Sequence, residues 1–366
     1  MAKNTIDNAI INDYKKHQGS FVDFAGNITQ LLKKNLLFEY KDNIHSIDPR
    51  VKTLESLESK LIRKNNKYRE LCEITDIVGI RIITYYEDSV DLIASIIENE
   101  FDVDKENTID KRIAIDPDKF GYLSLHYIVS VKSNRNNLPE YRVFDNFKFE
   151  IQIRSILQHT WAEIEHDLGY KSKVGIPRDV QRDFSRLAGL LELADKEFIG
   201  IRDKLKKYRK SVSKDMESHL SDFLVDNVSV AVYIEKQENI KQLDLSIAIA
   251  VNSQLSDECD DIYFTVRNLH AAGLETIKGI DDTIVQNADL CVALAKKLIN
   301  PGDASYKIPR GRGLFFLCYA VLVRREDVNL LIKYLNDSNI ERDYKREALA
   351  HKLISIYENY EQESNS

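Results

Sequence analysis

Hydrophobic and polar residues alternate with a period of two across Phe149-Glu150-Ile151-Gln152-Ile153-Arg154. That pattern predicts a strand with one buried face, formed by Phe149, Ile151 and Ile153. The opposite face carries an acid, an amide and a guanidinium, all pointing the same way. The chain then runs straight into a predicted helix through His159-Thr160-Trp161-Ala162-Glu163-Ile164-Glu165-His166. A carboxylate in mid-strand costs free energy unless partnered, and a metal ion is one such partner. A solvated outer face on an edge strand is the plainer alternative.

Upstream, residues 5–38 read as helical, with Ile6, Ile10, Tyr14, Phe21, Phe24, Ile28, Leu31 and Leu32 recurring at turns of three and four. Gly19-Ser20 is a candidate break in that helix. Ser46-Ile47-Asp48-Pro49 predicts a cap and a helix start, with Pro49 in the first turn. Arg50, Lys52, Ser56 and Lys60 fall on this predicted helix, the last three at i, i+4, i+8 on one face. Such a row suits an anionic chain such as a triphosphate, although basic residues on an amphipathic helix are more often simply solvated.

The β-branched run Ile74 to Thr84 predicts a buried central strand, opened by Asp76 and interrupted by Gly79 and Arg81. Asp88 to Phe101 predicts a helix. Residues 105–119 are charged and irregular. Gly121-Tyr122 then leads into a strand through Ile128, Val129 and Val131, and Tyr122 is either a base-stacking platform or half-buried core. A turn at residues 134–138 precedes the strand at 149–154, and two long helices follow it, over 155–168 and from Pro177 to about Lys210. His159, Glu163 and His166 share a face of the first at i, i+4, i+7, a spacing that also admits a metal cluster.

Beyond residues 211–220, which read as a polar linker, the pattern is helical. One stripe is Leu243, Ile247, Ala248 and Val251; another is Val266, Leu269, Leu274, Ile277 and Ile280. The stretch from Leu269 to Ile284 reads as a helical corner, with a helix-hairpin DNA-binding unit as the weaker alternative. Two last helices are predicted at 314–324 and 327–360.

The chain has 366 residues, 43% hydrophobic and 30% charged, the composition of an ordinary globular protein of two or three domains. There is no apolar run long enough to span a membrane and no signal-peptide pattern, so a cytoplasmic location is expected. Cys72, Cys259, Cys291 and Cys318 are scattered and read as reduced, buried thiols. The charge is unevenly placed. From Ser221 onward there are 16 Lys and Arg against 23 Asp and Glu, while residues 1–220 carry 36 of each. The whole net charge of −7 therefore sits in the C-terminal part, which argues against DNA binding there.

Five blocks now occur in order: Arg50-x-Lys52-x3-Ser56-x3-Lys60; Asp76-Ile77-Val78-Gly79-Ile80-Arg81; Gly121-Tyr122-x-Ser124-Leu125-His126; Glu150-Ile151-Gln152-Ile153-Arg154; and His159-x-Trp161-Ala162-Glu163-x2-His166. Together they resemble the synthetase domain of RelA/SpoT-type alarmone synthetases, over about residues 10–205. The resemblance implies a nucleotidyltransferase-like α/β fold, a mixed sheet flanked by helices, as domain 1–210, while helical pattern and charge predict an all-α acidic domain at 221–366. It implies pyrophosphate transfer from ATP, with Mg²⁺, to the 3′-hydroxyl of GDP or GTP, giving (p)ppGpp. Arg50, Lys52, Ser56, Lys60 and Arg81 would bind ATP. Asp76 and Glu150 would hold the metal. Glu150, Asp76, Arg81 and Gln152 would carry catalysis. Tyr122, Ser124, His126, Arg154 and His159 would hold the acceptor.

The form Phe120-Gly121-Tyr122-x-Ser124-x-His126-Tyr127 looks more like the toxic small synthetases, including CapRel-like fused toxin–antitoxins. Some of those act on the 3′ end of tRNA, so tRNA is the alternative acceptor, in a translation-blocking role in phage defence. An inactive nucleotide- or RNA-binding module is a third reading. No upstream hydrolase domain and no ribosome-binding regulatory domain is recognisable, and His166-Asp167 belongs to the synthetase helix. The acidic C-terminal domain is expected to regulate, as an in-chain antitoxin or a sensor of a regulatory or phage protein.

Overall fold

The structure, a computed structural model, describes residues 2–64, 67–110, 124–142, 144, 147–170, 177–218, 223–299 and 307–364. It divides into two compact units, Met1–Arg202 and Asp203–Ser366.

The first unit runs α1 (Ala2–Tyr40), β1 (Ile44–Val51), α2 (Leu54–Lys64), β2 (Val78–Thr84), α3 (Asp88–Glu100), β3 (Phe101–Val103), β4 (Ile109–Asp110), β5 (Leu125–Val131), α4 (Ser133–Asn136), α5 (Pro139–Arg142), β6 (Phe149–Ser155), α6 (Ile156–Tyr170) and the start of α7 (Arg178–Ser218). The strands form one mixed sheet in the order β1-β2-β6-β5-β3, with β4 also paired to β5. β2 and β6 are parallel, and the other pairings are antiparallel. This is a mixed sheet with flanking helices, as the resemblance implies. The alternation in β6 does what its sequence requires. Phe149, Ile151 and Ile153 are fully buried, and Phe149 meets Phe24 of α1 edge-on with ring centroids 5.3 Å apart. Because β6 lies between β2 and β5, the solvated-edge alternative falls.

Three local expectations are corrected. Residues 46–49 start no helix: they lie within β1, where Pro49 stands opposite Ile80. β1 is an edge strand, and proline, lacking an N–H, is tolerated there. Arg50 is therefore on a strand and Lys52 in the connection, leaving only Ser56 and Lys60 on α2. α1 passes unbroken through Gly19-Ser20. A glycine in a helix interior costs only about 1 kcal/mol, which burial of Ile10, Tyr14, Phe21, Phe24 and Ile28 on the same helix offsets. The turn at 134–138 is mostly the short helix α4.

The second unit contains the end of α7 and then α8 (Asn227–Lys236), α9 (Glu238–Ala250), β7 (Gln254–Cys259), α10 (Ile262–Ala271), α11 (Ile277–Leu298), β8 (Lys307–Arg310), α12 (Arg312–Val323), α13 (Val328–Asp337) and α14 (Asp343–Ser364). It is helical, as expected, with the short parallel pair β7–β8 added. α7 continues through residues 211–218, read from sequence as linker, because Val212 and Met216 are buried in this unit's core. The 269–284 stretch is a capped corner: Gly273 takes φ +80 after α10 and Thr276 caps α11. The expected helix 327–360 is two helices, since Asn339 and Glu341 adopt positive φ between them. Cys291 and Cys318 are buried, but Cys72 and Cys259 are exposed, and all four are free. Among the described residues no helix is long and apolar enough to cross a membrane.

Candidate active site

Register builds the site. Arg50 stands opposite Gly79, Gly79 opposite Glu150, Arg81 opposite Gln152, and Gln152 opposite His126. Side chains paired across strands share a face, so these residues gather on the sheet face away from α1. A cavity of about 160 Å³ opens there, lined by Arg50, Lys52, Asp76, Gly79, Ile80, Arg81, Glu150 and Gln152. A Cβ on Gly79 would make only ordinary contacts with the backbone, 3.7 Å from Arg50 O and 3.9 Å from Glu150 O. Glycine is thus not demanded by backbone crowding; its effect is to keep the cavity floor clear.

Asp76 lies in the turn before β2. Lys52 Nζ approaches one of its oxygens at 3.0 Å and Lys60 Nζ the other at 2.6 Å. Burial pushes its carboxyl up, but the two ammonium groups outweigh burial and hold it below the usual carboxylate range. The fully buried Tyr14 donates its hydroxyl to the Lys52 carbonyl, pinning the backbone between β1 and α2. Ser56 accepts a hydrogen bond from the Thr53 hydroxyl at 2.9 Å.

Glu150 anchors a polar chain along the same face. One of its oxygens lies 2.6 Å from His126 Nδ1, and the other accepts from Gln152 Nε2 at 2.7 Å. His126 Nε2 lies 2.7 Å from the Ser124 hydroxyl, and the Arg154 guanidinium donates to the Gln152 carbonyl oxygen. Burial raises the Glu150 carboxyl, yet its hydrogen bonds and the His126 ring bring it below the ordinary value, against an opposing push from Asp76. Each carboxylate therefore feels the other. Ser124 and Arg154, the two ends of this hydrogen-bonded chain, are buried.

On α6, Glu163 accepts from Arg81 at 3.1 Å. His159 Nδ1 is 3.8 Å from Glu163, too far for a hydrogen bond. Burial and the neighbouring Arg154 hold the His159 ring below its usual pKa. The pairing of Arg81 with Glu163 went unread in the sequence, as did the packing of Tyr68 against Lys60, whose ammonium lies 5.4 Å from the ring centroid. No local spacing links either pair.

The structure thus brings together Arg50, Lys52, Lys60, Asp76, Arg81, His126, Glu150, Gln152 and Arg154, with Ser124 and His159 adjoining. Tyr122, assigned to the acceptor base, lies outside the described residues, as do Phe120 and Gly121. Among the described residues no group of three or more His, Cys, Asp or Glu is placed to hold a metal, so the His159, Glu163, His166 cluster is not formed. Asp76 and Glu150 lining one cavity do fit a magnesium ion that arrives with nucleotide phosphates, since Mg²⁺ commonly takes one or two carboxylates and completes its shell from phosphate and water.

A family model described as "Region found in RelA / SpoT proteins" matches residues 49–175. Over 185 residues the chain is 29% identical to the GTP pyrophosphokinase YwaC of Bacillus subtilis (strain 168), covering 46% of this chain and 82% of that protein. The GTP pyrophosphokinase YjbM of the same organism is 28% identical over 187 residues, covering 49% and 82%. Among solved structures, the small alarmone synthetase 2 from Bacillus subtilis is 28% identical, with a TM-score of 0.44, covering 52% of this chain and 99% of that one. The matched region contains Arg50, Lys52, Lys60, Asp76, Arg81, His126, Glu150 and Gln152, and over that span the chain is of RelA/SpoT type.

Proposed function

We propose that the protein is an ATP-dependent pyrophosphokinase that transfers the β,γ-pyrophosphoryl group of ATP to the 3′-hydroxyl of GDP or GTP. The observation that carries this reading is the meeting of Asp76 and Glu150 on one cavity with Arg50, Lys52 and Arg81. The relatives named GTP pyrophosphokinases support the choice of acceptor.

In the reaction the acceptor hydroxyl forms a bond to the β-phosphorus, the bond from that phosphorus to the α–β bridging oxygen breaks, and AMP leaves. Glu150, ionised throughout the neutral range, takes the hydroxyl proton. Lys52, Lys60, Arg50 and Arg81 neutralise the triphosphate, with Ser56 beside them; transfer of this kind is mostly positioning and charge compensation. Asp76 and Glu150 would hold Mg²⁺, which when bound supplies charge neutralisation at the phosphates. His126 and Gln152 orient Glu150, and Tyr122 stacks on the acceptor base, with Ser124, Arg154 and His159 in support.

A second acceptor, the 3′ end of tRNA, is supported by the Phe120-Gly121-Tyr122-x-Ser124-x-His126-Tyr127 form. The acidic second unit is then an in-chain antitoxin or sensor. Incubation with γ-labelled ATP and GDP, GTP or deacylated tRNA separates the readings: label on a guanosine nucleotide supports the first, label on tRNA the second, and no transfer rejects both. Expression of residues 1–210 against the full chain tests the regulatory role, and equal growth inhibition by the two, or none by either, would refute it.

A further inference from the structure

We propose that Tyr68 is a positioning residue that holds the Lys60 ammonium in the triphosphate cradle. The inference rests on the reading that Lys60 meets ATP phosphates. Tyr68 sits in the connection between α2 and β2 and is only 9% exposed, fixed in the core of the first unit. Lys60 Nζ lies 5.4 Å from its ring centroid and 2.6 Å from Asp76 Oδ1. The ammonium is therefore held by two groups of different kinds, a carboxylate and an aromatic ring.

The two differ in what happens when substrate arrives. Asp76 is the group a nucleotide-bound cation would engage, and a carboxylate so engaged no longer holds Lys60. The ring is neutral and immobile. It attracts the ammonium through its quadrupole, and it neither repels phosphate nor binds metal. Lys60 is a point charge on a flexible four-carbon stem, so without a second holder it would have to be ordered afresh by each incoming triphosphate. The Lys52 ammonium rests on the other Asp76 oxygen at 3.0 Å, while the Tyr14 hydroxyl fixes the Lys52 backbone carbonyl. Lys67, 5.5 Å from the same ring centroid, adds positive charge on the Tyr68 ring.

The test compares full-length Tyr68→Leu, Tyr68→Phe, Lys60→Met and the Lys60→Met/Tyr68→Leu double variant. Calorimetric affinity for a non-hydrolysable ATP analogue is measured first, then KM and kcat. Tyr68→Leu should weaken analogue binding about three- to thirty-fold and raise the KM for ATP alike. Tyr68→Phe should stay within about twofold of the native chain, because the ring is kept. In the Lys60→Met background, Tyr68→Leu should add nothing. The same penalty with and without Lys60, or a Phe variant as weak as the Leu variant, would overturn the proposal, since either makes the ring structural only. If Tyr68→Leu does not fold, fluorinated phenylalanines at position 68 keep the shape while draining the ring's negative face. Affinity should then fall stepwise with fluorination, and a flat series overturns the proposal. A Tyr68-dependent analogue affinity in a protein that transfers nothing would sink the pyrophosphokinase reading and leave the role of Tyr68 standing.

Discussion

Asp76→Asn tests how the cradle is held before substrate arrives. Two ammonium groups lie on the two oxygens of one carboxylate at 3.0 and 2.6 Å, which keeps them within about 8 Å of each other, where like charges at an effective dielectric near 20 repel by ~2 kcal/mol or more. The lysine side chains are only 14% and 13% exposed and Asp76 26%, so solvent screens this in part. Removing the carboxylate charge leaves the repulsion uncompensated and weakens two charge-assisted hydrogen bonds. The first unit should lose about 2–4 kcal/mol, a fall of roughly 5–15 °C in its unfolding midpoint. Binding should move the other way. Asp76 competes with phosphate for Lys52 and Lys60, so the variant should bind metal-free tripolyphosphate about tenfold tighter, and saturating tripolyphosphate should narrow the midpoint gap. Scanning fluorimetry and calorimetry in EDTA at low salt read both effects, and 0.5 M salt should shrink them. The folded Asp76 carboxyl is lowered, so its contribution is complete above the unfolded value of about 3.9 and is lost as pH falls through the lower folded one. The gap should thus be constant through neutral pH and close only in acid. A variant that melts with the native chain and binds tripolyphosphate no tighter would show that Asp76 does not restrain the lysines.

Glu150→Gln should abolish transfer while leaving ATP-analogue affinity near native. Because the folded Glu150 carboxyl is lowered, the acid limb of the native rate profile should fall below the range of an ordinary glutamate; a limb near pH 6 would contradict this assignment of the base. Tyr122→Ala should raise the acceptor KM, since stacking contributes about 1–3 kcal/mol, and an unchanged KM would make Tyr122 core. In the second unit, Asp244 is 3% exposed and accepts from Gly311 N and Gly313 N at 2.7 Å each, at the start of α12. Burial nonetheless pushes its carboxyl up to about 6. A raised value means stability that is full below the unfolded pKa and lost as pH rises through about 6, here ~3 kcal/mol at most. Urea midpoints of the second unit should therefore fall between pH 4 and 7. Asp244→Asn should flatten that slope, and an unaltered slope would assign it to other groups.

The sheet was legible where the period-two pattern was strong. β2 carries valine and isoleucine and β6 phenylalanine and isoleucine on one face, and burial of that face turns Arg81, Glu150, Gln152 and Arg154 to the other; alternation gave the polar face, and the family resemblance gave it a role. The N-terminal cradle was misread because Pro49 serves equally in a first helical turn and at a sheet edge. Only pairing with β2 decides between them, and pairing is non-local. The spacing of Lys52, Ser56 and Lys60 nevertheless led to the right neighbourhood, since the strand end and the next helix converge on Asp76. The contacts of Tyr68 with Lys60 and of Glu163 with Arg81 could not have been found the same way. Each of these residues acts through a partner in a different element, and no short spacing records such a contact.

The pairing pattern of the site also constrains the order of events. Asp76 is neutralised by lysines, Glu150 is hydrogen-bonded at both oxygens, and Arg81 is held by Glu163. Asp76, Glu150 and Arg81 thus each have a protein partner, which offsets the cost of burying their charges. On the proposed function, binding would proceed by exchange. The triphosphate would take Lys52 and Lys60 from Asp76, which would free that carboxylate for a cation brought by the nucleotide. Glu150 differs because its partners, His126 and Gln152, lie on its own sheet and need not leave when substrate enters. A base held in this way stays ionised and aimed while the cradle around it rearranges. The difference predicts that losing a cradle lysine is felt mainly in ATP affinity, and that His126→Ala is felt mainly in kcat. Steady-state kinetics showing the reverse would mean that the division between a mobile cradle and a fixed base is wrong.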